Sequence, residues 1–211
     1  MSERHDLLFE LGTEELPPKS LRALSEALTG NLTAGLKAAG LEHGTVRGFA
    51  TPRRLAVSID ALASVQPDRI DERRGPALSA ARHPDGSPTK AAEGFARSCG
   101  VTVDELIVIG GDKGEWLGFR KPVPGTKTAA LLPNLITLAL ADLPIAKRMR
   151  WGSGDTEFVR PVHWAVLLYG PDVIETVILG ARTGRTTRGH RFHCPEPFEL
   201  STPNNYARDL E

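Results

Sequence analysis

Basic and ring-bearing side chains are concentrated between Ile145 and His193. This segment contains eight basic residues and four acidic ones, whereas the whole chain balances 26 basic with 26 acidic residues. Guanidinium groups bind phosphate oxygens in a bidentate fork, and aromatic or imidazole rings stack on unpaired bases. The pattern therefore indicates a local surface suited to a polyanion, which the net charge of zero conceals. The basic residues are Lys147, Arg148, Arg150, Arg160, Arg182, Arg185, Arg188 and Arg191, and the rings are Trp151, His163, Trp164, His190, Phe192 and His193.

The same residues also fit a purely structural role. Arg150 with Trp151, and the run from Arg160 to Trp164, would serve as buried cation–π and ion-pair contacts between a sheet and its helices. The charge pattern alone favours neither interpretation. The burial of the guanidinium groups is the observation that separates them.

The sequence contains no standard catalytic motif. The glycine-rich run 110–114 lacks the Gly-Lys-Ser/Thr ending of a phosphate-binding loop and is more typical of a hairpin turn. His190, His193 and Cys194 are of zinc-binding types, but no second ligand pair follows nearby, so a structural or RNA-contacting role is favoured. The neighbouring carboxylates of Glu14–Glu15 favour an acidic turn before a helix over an acid–base pair. We predict no catalytic residue, metal ligand or cofactor in this chain.

The composition is that of an ordinary globular protein. The chain has 211 residues, of which 40% are apolar and 25% charged, enough for one large core or two smaller ones. Cys99 and Cys194 form no paired motif, so a reducing compartment fits better than a disulfide framework. No window approaches the roughly 18 uninterrupted apolar residues of a membrane span. We expect a cytoplasmic protein without a membrane partner.

The N-terminal third alternates strand-like and helix-like patterns. Leu7–Leu11 predicts a short buried strand, and Pro17–Pro18 opens a helix whose leucines recur every three or four residues until Gly40. Alternating apolar residues over 55–59 predict a half-buried strand. The polar run 66–74 is interpreted as a connector between subdomains.

The remainder mixes helices with hairpins. Ser87–Pro88 predicts the start of a helix that Gly100 ends, and the run 127–143 predicts a buried helix in which Pro133 makes a kink or marks the regular start. The runs 110–114 and 170–172 predict hairpin turns.

These elements favour an α+β fold with mixed or antiparallel sheets, packed helices and two subdomains. The predicted boundaries are an α/β segment over 1–65, a central α+β region over 75–200 that ends in a basic hairpin segment, and the start of a truncated helix over 201–211. Because a helix signal at Thr202–Asn205 precedes the last residues so closely, we interpret the chain as a piece of a longer protein.

Seven strings spread over nearly the whole chain carry a resemblance to a known family. They are LLFELGTEELPP (7–18), FATPRRLAV (49–57), GSPTKAAEGFAR (86–97), DKGEWL (112–117), KRMRWG (147–152), FVRPVHW (158–164) and RGHRFH (188–193). In this order they resemble the beta subunit of the bacterial two-subunit glycyl-tRNA synthetase. Loops over 82–85 and 182–187 depart from the family pattern without altering the resemblance.

The resemblance implies a division of labour between two subunits. In this family a separate alpha subunit binds ATP, Mg and glycine, while beta supplies most tRNA contacts within an alpha2beta2 assembly. We therefore expect a non-catalytic N-terminal region of the beta subunit, which contributes to tRNA(Gly) recognition and to assembly with alpha for ATP-dependent glycine attachment. A structural assembly scaffold without direct tRNA contact is the alternative. The candidate tRNA-binding residues are Arg53, Arg54, Lys147, Arg148, Arg150, Arg160, Arg188, His190 and Arg191.

Overall fold

A computed structural model describes residues 3–83, 86–111, 114–152 and 154–211. The strands are β1 (Arg4–Thr13), β2 (Val46–Thr51), β3 (Arg54–Ala63), β4 (Arg69–Ala77), β5 (Ile107–Gly111), β6 (Gly114–Val123), β7 (Met149–Arg150), β8 (Glu157–Phe158), β9 (Val162–Tyr169), β10 (Asp172–Val173), β11 (Val177–Ile178), β12 (Ala181–Gly184), β13 (Thr186–Arg188) and β14 (Pro197–Glu199). The helices are α1 (Pro18–Ala38), α2 (Leu78–Ala81), α3 (Lys90–Cys99), α4 (Thr128–Ala141) and α5 (Tyr206–Leu210), with 3-10 turns at Val103–Glu105 and Pro203–Asn205. Helices packed with mixed and antiparallel sheets confirm the predicted α+β class.

The chain forms two compact units, one of which is an insertion. Met1–Gln66 and Thr126–Glu211 together make the first, here called the sheet unit, and Pro67–Gly125 makes the second, the inserted unit. The Gln66 N–H donates to the carbonyl of Thr126 at 3.0 Å, so the chain leaves and re-enters the sheet unit at neighbouring points. The predicted division had a boundary near residue 65 but kept 75–200 together. The observed division differs because residues after 126 complete a sheet that begins at β1.

The sheet unit is built on one mixed sheet in the order β11-β12-β9-β1-β3-β2, with β10 added beside β9. The pairings are antiparallel except that of β12 with β9. Alternation along β1 sends Leu7, Phe9 and Leu11 to one face and Leu8 and Glu10 to the other. The first face is covered by helices and the second by the C-terminal segment.

Helices α1 and α4 cover the first face because each carries an apolar stripe. Leu24, Leu28, Leu32 and Leu36 of α1 recur at helical spacing and are buried, as predicted. The helix ends at Ala38, just before the predicted stop, where Gly40 has a φ of 69°. Helix α4 forms as predicted, with Pro133 inside it.

The inserted unit contains a three-stranded antiparallel sheet, β4-β6-β5, with α2 and α3. The predicted connector over 66–74 is in fact occupied largely by β4, whose first six residues are exposed. Because such a strand carries charge on both faces, it resembles a linker in sequence. The antiparallel pairing of β5 with β6 confirms the predicted hairpin, and Asp112 and Lys113 between the two strands lie outside the described residues.

Helix α3 begins two residues later than predicted. The Thr89 hydroxyl, rather than a side chain at Ser87–Pro88, accepts from the Ala92 N–H at 3.4 Å. Gly100 ends the helix in the left-handed region, with φ of 74°, as predicted.

The predicted hairpin across 170–172 forms between β9 and β10, but its second strand is short. Val177–Ile178 pairs with β12 instead of continuing alongside β9. The helix signal near Thr202 corresponds to a 3-10 turn followed by α5. No helix in the described part of the chain is long and apolar enough to cross a membrane.

Candidate nucleic-acid interface

One end of the central sheet gathers loops that are far apart in sequence. The Thr13 N–H donates to the carbonyl of Arg53 at 2.9 Å, and the Glu14 N–H donates to that of Pro161 at 2.9 Å. The Leu16 N–H donates to the carbonyl of Pro52 at 2.6 Å. These bonds join the β1–α1 loop to the β2–β3 hairpin and to the entrance of β9, so three of the strings that carry the family resemblance meet here.

Glu14 is the first of two carboxylates that organise cations at this end. The ring of His163 lies 2.8 Å from Glu14 through Nε2 and Oε1, and the guanidinium of Arg53 lies 3.5 Å from the same oxygen. The hydrogen bond with His163 is the largest cause that lowers the pKa of Glu14. Burial acts in the opposite direction, and the charges of Arg53, His163 and Arg191 lower the pKa further. Glu14 is therefore an anchor for the surrounding basic groups.

Glu15 anchors the remaining loops. The Arg160 Nε donates to the Glu15 carbonyl at 2.9 Å, and the Arg191 guanidinium lies 3.5 Å from the Glu15 carboxylate. The side chain of Arg191 remains 53% exposed. Glu14 and Glu15 lie in the turn before α1, as predicted, but they also bind cations, which their adjacency in sequence did not reveal.

Arg188 extends the same cluster along β13. Its guanidinium carbon lies 5.8 Å from the centre of the Trp164 ring, and its side chain is exposed. The Trp164 ring in turn lies directly over Gly12 of β1, where an added Cβ would be 2.0 Å from the ring. The basic end of the sheet unit is defined here as Arg53, Arg160, His163, Arg188, His190 and Arg191.

Beneath the basic end, a buried carboxylate binds the C-terminal segment to the sheet. Glu10 is 0% exposed. Trp164 Nε1 and Thr187 Oγ1 each donate to Glu10 Oε1 at 2.5 Å, and the Tyr206 hydroxyl donates to Oε2 at 2.6 Å. Arg54 Nε lies 3.4 Å from Oε2 as an ion pair. Side chains from β3, β9, β13 and α5 therefore all contact the buried carboxylate of Glu10 on β1.

This network determines the pKa of Tyr206 and the burial of Arg54. Burial, and next the negative charge of Glu10, raise the pKa of Tyr206 far above its ordinary value. Arg54 is 8% exposed and also donates to the backbone carbonyl of Arg188. Arg54 was predicted to contact tRNA. The structure places it inside the protein as the partner of Glu10, so it is removed from the candidate surface.

Lys147, Arg148 and Arg150 were also predicted to belong to the surface, but they lie apart from this contact network. Arg148 donates to the carbonyl of Ala141 at 2.7 Å. The Arg150 guanidinium lies 3.4 Å from Asp155 and 3.3 Å from Glu157. Lys147 is exposed. The predicted continuous basic segment is therefore divided between the basic end and the neighbourhood of β7 and β8.

The zinc-type residues lie in an exposed turn after β13. The ring centres of His190 and His193 are 4.6 Å apart, and Cys194 is a free, exposed thiol. Within the described ranges, no group of three or more His, Cys, Asp or Glu residues is arranged to hold a metal ion. The turn instead presents rings to solvent.

Sequence reasoning missed Glu10 as a site residue. Its signal was present, because a glutamate within the apolar strand 7–11 requires a buried partner. The partners come from positions as distant as Tyr206, so pattern alone does not identify them.

Proteins of known sequence resemble this chain over almost its whole length. It is 54% identical to the glycine-tRNA ligase beta subunit of Chromohalobacter salexigens over 205 residues. This match covers 97% of the chain and 30% of the relative. It is 53% identical over 201 residues to that of Marinobacter nauticus, covering 95% and 29%, and 53% identical over 210 residues to that of Escherichia coli O8, covering 100% and 30%. The chain thus spans about 30% of the length of these relatives.

The relatives are, by name, subunits of a ligase that acts with tRNA. The sequence model of the family described as "Glycyl-tRNA synthetase beta subunit" matches residues 7–211. The chain belongs to this glycyl-tRNA synthetase beta subunit family, as the resemblance of its strings predicted.

Proposed function

We propose that this chain is the non-catalytic N-terminal region of the beta subunit and that its basic end contacts the sugar-phosphate backbone of tRNA(Gly). In this proposal a separate alpha subunit binds ATP and Mg and attaches glycine, while the chain helps to hold the tRNA. The supporting observation is the convergence of basic groups from three separated strings on Glu14 and Glu15, which belong to a fourth, at one end of the sheet. Family membership makes tRNA the expected polyanion.

The geometry of the basic end suits phosphate contacts. Arg188 at the end of β13 and Arg191 in the following turn are exposed, and the Arg160 guanidinium is held by a bond to the Glu15 backbone carbonyl. Bonds to Glu14 and Glu15 fix several cations before RNA arrives, which reduces the conformational entropy lost on binding. Since each phosphate contact releases counterions, binding through this end is expected to weaken steeply as salt rises.

The test is tRNA binding by charge-removing variants of the intact protein. Arg188→Gln and Arg191→Gln are each expected to weaken binding and to reduce the slope of log affinity against log salt by about 0.7–0.9 per lost phosphate contact. Arg22→Gln is the matched control, because Arg22 is 91% exposed on α1 and its ion-pair partner is Glu26 rather than Glu14 or Glu15. Affinity and slope that equal those of the wild type in both test variants would refute the proposal.

A scaffold role is the second candidate, and specific contacts favour it. Arg54 is buried and donates to the backbone carbonyl of Arg188. Arg185 donates to the carbonyls of Leu200 and Pro171 at 3.3 and 2.8 Å. If the arginines act mainly in assembly, the Arg188 and Arg191 variants would retain tRNA affinity but co-purify with less of the alpha subunit. Measuring both quantities on one preparation separates the two roles.

A further inference from the structure

The turn from Gly189 to Cys194 exposes rings that the sheet unit does not use for packing. Phe192 is 74% exposed, and its ring centre lies 6.0 Å from that of His190. The rings of His190 and His193 are 4.6 Å apart. A bond from the Cys194 N–H to the His190 carbonyl, at 2.8 Å, closes the turn. The protein therefore presents a cluster of rings on a closed loop.

The charged side chains of the segment 188–194 itself are all basic, although Arg191 also lies 3.5 Å from the Glu15 carboxylate. The Arg191 guanidinium carbon lies 4.7 Å from the centre of the Phe192 ring, and Arg188 precedes the turn. The segment 188–194 contains no acidic residue. A ligand for this turn must offer a flat apolar face together with negative charge.

An unpaired nucleotide has both properties, and a paired one does not present its face. Bases inside a duplex are already stacked on their neighbours, whereas an unpaired base is free to stack on an aromatic ring while its phosphate meets arginine. A pocket on another protein would bury Phe192 equally well. The flanking arginines then require acidic residues on that protein.

We propose that the turn from Gly189 to Cys194 is a stacking site for an unpaired nucleotide of RNA, with Phe192 as its platform. This inference rests on the proposed function and specifies which part of an RNA the basic end receives. Arg188 and Arg191 hold the phosphates on either side of the stacked base. The ring of His190, whose Nδ1 accepts from the Phe192 N–H at 3.3 Å, supports the platform from the side.

The test uses the intact protein and two RNA probes, a hairpin with an unpaired 3′ tail and the same hairpin without it. Wild-type protein is expected to bind the tailed hairpin about 5- to 150-fold more tightly, the range of one base–aromatic stack. Phe192→Leu retains an apolar side chain without the ring, so it should lose this preference and leave binding of the blunt hairpin unchanged. Phe192→Trp should retain the preference.

Four other outcomes overturn the inference in distinguishable ways. Equal weakening of both probes by Phe192→Leu would show that the turn contacts RNA without stacking, and the proposed function would stand. Retention of the tail preference by Phe192→Leu would place stacking elsewhere. If Phe192→Leu binds RNA like the wild type but loses the alpha subunit, the turn docks on protein. Failure of the wild type to bind either probe would instead refute the proposed function.

Discussion

Replacing Glu10 with glutamine tests whether the buried carboxylate holds the sheet unit together. The substitution preserves the shape of the side chain but removes its charge and converts one acceptor oxygen into a donor. Arg54, only 8% exposed, would then keep its charge without a counter-ion. At least one of the hydroxyl and indole donors that now reach Glu10 would face another donor.

The expected loss follows from these contacts. Removing one partner of a buried ion pair costs about 3–5 kcal/mol, since the other charge remains buried and uncompensated. We add no separate cost for the unsatisfied hydrogen-bond donor, because it and the uncompensated charge of Arg54 both result from the loss of the Glu10 carboxylate. For a domain of this size each kcal/mol lowers Tm by about 2–4 °C, so Glu10→Gln should lower it by roughly 6–20 °C.

The assay is urea and thermal unfolding followed by tryptophan fluorescence and circular dichroism. Trp164 reports directly, because its indole N–H donates to Glu10. Glu42→Gln is the matched control: Glu42 pairs with Arg4 but is 78% exposed, and such pairs contribute about 0–1 kcal/mol. Adding Arg54→Met to Glu10→Gln should restore much of the loss by removing the orphan charge. A Glu10→Gln midpoint no lower than that of Glu42→Gln would show that the network is not a determinant of stability.

Two further predictions concern other residues of the sheet unit. Gly12→Ala should destabilise the fold by about 1–3 kcal/mol, because the new Cβ would lie 2.0 Å from the Trp164 ring. Gly30→Ala is the comparison: Gly30 is exposed on α1, an added Cβ would have no atom within 4 Å, and the substitution should stabilise by about 0.5–1 kcal/mol. Equal unfolding midpoints of the two variants would contradict this prediction. Tyr169 and Tyr206, the chain's two tyrosines, both have pKa values raised chiefly by burial, so their stabilising contribution is complete below the unfolded pKa of about 10 and is lost as pH rises further. Phenolate absorbance should therefore appear only together with loss of circular dichroism, and gradual ionisation near pH 10 in a folded chain would disprove the assignment.

Sequence patterns correctly predicted the helices and turns that are determined by neighbouring residues. The leucines of α1 repeat at helical spacing, and Gly100 and the glycine-rich hairpin over 110–114 carry their turn signals in adjacent residues. The family resemblance likewise depends on contiguous strings. These features are legible in sequence because neighbouring residues determine them.

The site depended on contacts that neighbouring residues do not encode. Arg53 joins the basic end through the β2–β3 hairpin, and Arg191 through a turn more than a hundred residues later. Arg53 lies in the turn between β2 and β3, whereas its neighbour Arg54 begins β3 and is buried against Glu10. Charge density therefore indicated the segment that supplies most of the basic end but did not separate its surface arginines from the internal ones.

The insertion of residues 67–125 between β3 and α4 determines the order in which the chain becomes able to fold. The inserted unit is continuous, so it is complete as soon as its own residues leave the ribosome. The sheet unit is not, because β1 pairs on one side with β3 and on the other with β9, which is synthesised about 150 residues later. During synthesis the apolar strand Arg4–Thr13 therefore keeps one unpaired edge until β9 has been made. The inserted unit is complete before that point and can fold first. Strand β1 is therefore made before β9 but is enclosed only after it.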